Sequence, residues 1–164
     1  MEIFEMKTSQ KMSTMSTGEL KKTHISFALS LGVRYLLLDE PTNGLDIPSK
    51  AAFRKAVMQF TDEEATIVIS THQVKDLENI IDPIIILDRN AVLLNASLEE
   101  ISRKLFFDYS LSDVAPENCL YKENLPSGSI QVVLNPDGAE SKVNIEALFN
   151  ACHANKELVK SLFA

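Results

Sequence analysis

Three side chains in this sequence could do chemistry together: Asp39 and Glu40, which end the apolar run YLLLDE, and His72, which follows a second apolar run, TIVIS (Thr66 to Ser70). An apolar strand ending in two carboxylates delivers them to the carboxyl edge of a parallel sheet, where open α/β sheets bind their ligands. There Asp39 would hold Mg²⁺ through water, and Glu40 would accept a proton from an attacking water. The second role is typically worth ~10²–10⁴ in rate. A His beyond the neighbouring strand, on the same sheet edge, can donate to a phosphate oxygen.

These residues need a frame, and the hydropathy pattern supplies one. YLLLD and TIVIS are apolar on both faces and are separated by an amphipathic stretch from about Pro48 to Phe60, with Phe53, Val57 and Phe60 on one side. Such runs alternating with helices predict parallel strands covered by helices on both sides, the α/β class. Upstream, Met1 to Met15 is polar and without clear period, a tail. A helical pattern begins at Gly18 with Leu20, Phe27, Ala28 and Leu31 near one stripe and Gly32 placed to stop it. Ser16 and Glu19 have capping-box spacing, so this helix starts at Ser16.

Downstream, a short helix is expected around Val74 to Ile80. Ile84 to Ser97 predicts a hairpin turning at Arg89 and Asn90, where Asn tolerates the left-handed conformation. Ser97 and Glu100 form a second capping-box pattern. Beyond Phe106 the character changes: YKENLPSGSIQVVLNPDG predicts two strands around a Pro/Ser/Gly turn. Asn144 to Phe163 predicts an amphipathic helix with Ile145, Leu148, Phe149 and Cys152 on its first apolar face. A boundary near Phe107 gives two parts, 1–107 and 108–164, the second a small α+β extension.

PTNGLD, which follows Asp39 and Glu40, resembles the loop after the corresponding strand in the ATP-binding subunits of ABC transporters. STHQ (Ser70 to Gln73) resembles the same proteins' switch-histidine segment. MSTGE (Met15 to Glu19) stands where their signature, usually L-S-G-G-Q, is found; Ser16 and Gly18 match it, while Thr17 and Glu19 depart from it. Together, in this order, the motifs are specific. The resemblance covers Met15 to about Leu105 and implies the back half of a P-loop NTPase fold of the ABC ATPase kind. It implies ATP and Mg²⁺ as cofactors. It also implies a membrane permease and a second nucleotide-binding domain as partners, and a place on the cytoplasmic side of the membrane, held there by the permease. In it Glu40 and His72 are catalytic, with His72 at the γ-phosphate, and Asp39 is the metal residue. Ser16 and Gly18 face nucleotide held by the partner subunit, and Asp46 belongs to the D-loop at the dimer interface. Glu19 puts a negative charge near that signature site; Lys21 and Lys22 either offset it or are simply a solvated face. A helix N-terminus with free N–H groups and a hydroxyl is in any case suited to an anion.

One motif is absent from the sequence. None of its five glycines is followed by Lys, so there is no G-x-x-x-x-G-K-[ST] loop to cradle the β- and γ-phosphates. The expectation is therefore a C-terminal fragment of an ATPase subunit, inactive by itself. The rival expectation is a non-catalytic, self-associating interaction module, since core strands without neighbours leave an apolar face and a bare edge. A third is an ABC-type ATPase of DNA repair or translation, disfavoured by the lack of heptad runs and basic patches.

Composition limits the rest. With 164 residues, 45% apolar and 24% charged, the chain has the composition of one ordinary folded domain, or of one domain with a small appendage. Its 16 basic against 23 acidic residues, net −7, disfavour a nucleic-acid partner. Cys119 and Cys152 lack metal or redox spacing and read as reduced thiols.

Overall fold

A computed structural model describes Phe4, Met6 and residues 9–60, 64–111 and 114–164, with the side chain of Phe60 outside the description. These residues form two compact units, Met1–Ile80 and Ile81–Ala164. The sequence position 107 falls within a strand of the second unit.

In the first unit, α1 (Thr17–Ser30) starts at the Ser16 cap, and Gly32, at φ 58°, follows its end as the C-terminal glycine of a helix should. β1 (Tyr35–Asp39) pairs in parallel with β2 (Thr66–Ser70), in a register that sets Asp39 beside Ser70. Between them runs α2 (Ile47–Phe60), which packs against α1 and buries Phe53, Ala56 and Val57. Four details differ from the sequence expectation. α1 buries Thr23, Ile25 and Leu29, while of the expected stripe Phe27 and Leu31 are exposed and Leu20 and Ala28 half-buried. Ile25 and Leu29 are one turn apart on a different stripe, and that stripe is the one covered. The sheet face bearing Tyr35, Leu37 and Val68 is also exposed, so among the described residues helices do not cover both faces. In the stretch read as a tail, Met12–Thr14 make a 3-10 turn and Phe4 is buried. The short helix expected after His72 is a 3-10 turn, Val74–Asp76, continued by turns.

In the second unit, β3 (Ile84–Asp88) and β4 (Ala91–Ala96) form the expected hairpin, with Ile84 and Ile86 inward. The left-handed residue of its turn is Arg89, φ 52°, rather than Asn90. α3 (Leu98–Lys104) is capped by Ser97, whose hydroxyl accepts from the Glu100 N–H at 3.1 Å, while the Glu100 carboxylate pairs with Lys104 one turn on. A three-stranded antiparallel sheet follows: β5 (Leu105–Ser110), β6 (Cys119–Leu125) and β7 (Gly128–Leu134), with β7 central. A Cβ on Gly128 would meet the Ser110 carbonyl oxygen at 2.5 Å, so only glycine lets β5 approach there. The long C-terminal helix is two helices, α4 (Ile145–Ala154) and α5 (Lys156–Leu162). Asn155 breaks it at φ −131°, and its side-chain amide donates to the Leu120 carbonyl, so a sheet contact offsets the lost helical turn. Ile145, Leu148 and Cys152 are buried as expected; Phe149 is partly exposed and stacks near His153. Among the described residues no helix is long and apolar enough to cross a membrane.

Candidate functional site

The register of β1 on β2 brings the carboxylates to the residues that follow β2. The Ser70 hydroxyl donates to Asp39 Oδ1. One residue on, the chain turns through Glu40 at φ 44°, a left-handed conformation that is uncommon outside glycine. The Glu40 N–H donates to the Ser70 carbonyl at 2.8 Å, extending the ladder one step and aiming the side chain at the next segment.

There the Glu40 carboxylate is held on both oxygens. Oε1 accepts the His72 backbone N–H at 2.9 Å and lies 2.6 Å from His72 Nδ1; Oε2 accepts the Thr71 hydroxyl at 2.9 Å. Thr71 is itself fixed by the Gln73 N–H, and α2 reaches over through Lys50, which donates to the Gln73 side chain at 3.1 Å. Partial burial pushes the Glu40 pKa up, but the hydrogen bonds from His72 and Thr71 outweigh it and leave the carboxyl below its ordinary value. Because His72 Nδ1 faces a carboxylate, it carries a proton there, leaving Nε2 for another partner. The His72 side chain is 70% exposed and free to meet one.

A second cluster joins the start of α1 to the loop before α2. Ser16 and Glu19 close a full capping box: the Glu19 N–H donates to Ser16 Oγ at 3.3 Å, and the Ser16 N–H and hydroxyl donate to Glu19 Oε2 at 2.8 and 2.9 Å. The Ser16 backbone bond, then its hydroxyl and Gln10, hold the Glu19 carboxyl below the usual range. Asp46 caps α2, accepting the Ser49 N–H at 2.9 Å. Hydrogen bonds from the Ser49 side chain and backbone lower its pKa against the opposing effect of burial, with Lys22 adding to them. Ser16, Gly18, Glu19, Lys22, Gly44 and Asp46 line one shallow open cavity of about 180 Å³. Gly18 is placed so that a Cβ on it would lie 3.9 Å from the Gly44 carbonyl oxygen.

The residues singled out by sequence thus fall into two groups in one unit: Asp39, Glu40 and His72 at the strand ends, and Ser16, Gly18 and Asp46 around the cavity. Ser70 and Thr71, the hydroxyls that bind the two carboxylates, were not singled out, although their place beside His72 in STHQ was a signal. Lys21 does not sit by Glu19. Its ammonium donates to the Glu40 carbonyl at 2.5 Å and the Asn43 carbonyl at 2.9 Å, and Lys22 is the cation of the cavity.

Among the described residues no three His, Cys, Asp or Glu side chains gather closely enough to hold a metal ion alone. Mg²⁺ that travels with phosphates takes only one or two protein carboxylates, the rest of its shell being phosphate oxygens and water. Exposed Asp39 offers such a carboxylate.

No protein-family profile matches the chain. Individual relatives do match, and they are ABC transporter ATP-binding proteins. An uncharacterized ABC transporter ATP-binding protein of Methanocaldococcus jannaschii is 25% identical over 140 residues, 85% of this chain and 52% of that protein. The ABC transporter ATP-binding protein NatA of Bacillus subtilis is 31% identical over 93 residues, 57% of this chain and 38% of NatA. The cobalt import ATP-binding protein CbiO of Salmonella typhi is 30% identical over 92 residues, 56% of this chain and 34% of CbiO. The resemblance read from the motifs is therefore borne out, and the mixed α/β architecture agrees with it. The chain spans about half the length of the first of these relatives.

Proposed function

We propose that this chain is the hydrolytic back portion of an ABC transporter ATPase subunit, residues 1–107, with 108–164 as a small C-terminal extension. In this reading it adopts the corresponding part of the P-loop NTPase fold. The observation that carries it is the Glu40 carboxylate at the sheet's carboxyl edge, bonded on both oxygens to the Thr71–His72 segment.

The chemistry follows from lone pairs. Each carboxylate oxygen has two acceptor sites. Oε1 of Glu40 is filled by the two His72 bonds, and Oε2 takes one bond from Thr71, so one site on Oε2 stays open for a water proton. Glu40 is then the general base, fixed in direction by its three bonds. His72 turns Nδ1 to Glu40, so its Nε2 is the ring nitrogen left to meet a γ-phosphate oxygen. Asp39, with Ser70 on one oxygen, is the residue that would hold Mg²⁺ through water, and the ion would supply charge to offset that of the phosphates. Ser16, Gly18 and Asp46 form a surface for nucleotide carried by a second nucleotide-binding domain. On Ser16, Glu19 competes with that nucleotide. The β- and γ-phosphate cradle comes from a segment outside these 164 residues.

The whole subunit would hydrolyse ATP at the cytoplasmic face of the membrane, docked on a permease. The test is Mg²⁺-dependent phosphate release from ATP by the chain joined to a segment bearing the G-x-x-x-x-G-K-[ST] loop. No release above the loop segment alone would overturn the proposal.

One observation favours a second reading. The exposed Tyr35, Leu37 and Val68 face is suited to self-association without catalysis. A strictly monomeric chain in sedimentation would remove it.

A further inference from the structure

Glu40 is held from three directions. Its N–H is bound by β2, through the Ser70 carbonyl, and its carboxylate by Thr71 and His72. The third hold comes from α1. The Lys21 ammonium bridges the carbonyls of Glu40 and Asn43 at 2.5 and 2.9 Å, across the tight turn in which the Asn43 N–H also donates to Glu40 O at 3.2 Å. Glu40 lies at φ 44°, a region where its Cβ crowds the backbone and which must be stabilised from outside. A chain relaxing from that region swings the carboxylate away from Thr71 and His72. The ammonium has three donors, and two are spent on these carbonyls.

Resting on the catalytic reading of Glu40, we propose that Lys21 is a positioning residue. By bridging the carbonyls of Glu40 and Asn43 it holds Glu40 in the left-handed conformation from which its carboxylate meets His72. It acts through the backbone of Glu40. It ties the helix that begins at Ser16 to the backbone of the carboxylate at the strand end, so a displacement of α1 is felt at Glu40. Lys21→Met keeps the length of the stem and removes every donor. Lys21→Arg keeps the charge and offers a donor fork to both carbonyls.

The experiment is residue-resolved hydrogen exchange and ¹H–¹⁵N spectroscopy on the 164-residue chain, comparing the two variants with the parent. The His72 amide reports the Glu40 contact. In Lys21→Met its exchange is expected to accelerate at least ~10-fold, the change that a loss of ~1.4 kcal/mol of local protection gives. Its resonance should move, while amides in α2 keep their protection. Lys21→Arg should restore exchange to within about twofold of the parent. If Lys21→Met does not fold, Lys21→Gln, which is polar but too short to span both carbonyls, replaces it with the same expectation. His72 exchange unchanged in the donor-less variant, or accelerated equally in Lys21→Arg, overturns the proposal. Failure of the catalytic reading is distinguishable: Glu40→Gln in the loop-joined protein would retain hydrolysis while His72 protection still depended on Lys21.

Discussion

Glu40→Gln is the substitution whose consequence the geometry fixes most closely. Gln is isosteric and keeps a carbonyl oxygen, which can stay on Oε1 and accept from the His72 N–H and Nδ1. Its NH₂ then replaces Oε2, where the Thr71 hydroxyl now donates. Thr71 can rotate its proton and accept instead, so the local bonding survives in reversed sense at one position. The open lone pair of Oε2 does not survive; an N–H stands there, and it cannot take a proton from water. Loss of a positioned general base costs ~10²–10⁴ in rate. The phosphate-release rate of the loop-joined protein should therefore fall by at least about 100-fold, while the melting temperature and the nucleotide dissociation constant change little. Steady-state release of phosphate, with thermal melting and nucleotide titration as controls, measures all three. A Glu40→Gln protein within threefold of the parent rate would refute the assignment. Equal loss of binding and rate would instead show that Glu40 supports the fold of the loop.

Further outcomes follow from other parts of the molecule. Ser16→Ala removes the hydroxyl that caps α1 and should cost about 1 kcal/mol in denaturant unfolding, whereas an unchanged midpoint would mean the Glu19 carboxylate caps unaided. Phe53→Ala, at a side chain with 0% exposure on α2, should cost ~3–5 kcal/mol, and a cost below ~1 would mean α2 is not docked as described. In the second unit, hydrogen bonding from Lys156, against some burial, holds the Asp88 carboxyl below its ordinary value. Asp88 therefore contributes stability above the ordinary Asp range and loses it as pH falls through the lowered value, so Lys156→Met should weaken the protein at neutral pH and flatten its acid-side loss, as read by melting between acid and neutral pH. The Cys152 thiol, with 0% exposure, is pushed up to about 12 by burial, so one thiol, Cys119, should react with a thiol reagent at mild pH and the second only on unfolding. Two equally fast thiols would contradict the packing of α4.

Much of the first unit was legible because its signals are local. YLLLD and TIVIS are short apolar runs with turn residues after them, and both are strands; Ser16 and Glu19 have capping-box spacing, and the box is closed. What was not legible depended on contacts between distant segments. Lys21 looked like a surface charge beside Glu19, but its partners are carbonyls 19 and 22 residues away, which no pattern along α1 encodes. Phe27 and Leu31 fit a helical stripe as well as Ile25 and Leu29 do, and packing rather than periodicity selects between them. β5 was missed for a related reason: LFFDYS continues directly from α3 without a turn residue between them, and its pairing with the central strand β7 decides its state. The break at Asn155 likewise answers to a carbonyl in β6.

The central claim is that the strand ends bearing Asp39, Glu40 and His72 face the phosphates and metal of a nucleotide. Paramagnetic broadening by Mn²⁺·ATP, in place of Mg²⁺·ATP, tests it most directly in the ¹H–¹⁵N spectrum of the loop-joined protein. The amides of Asp39, Glu40, Ser70 and His72 should broaden first, before those of α2. Uniform broadening, or broadening centred away from these four residues, would contradict the account.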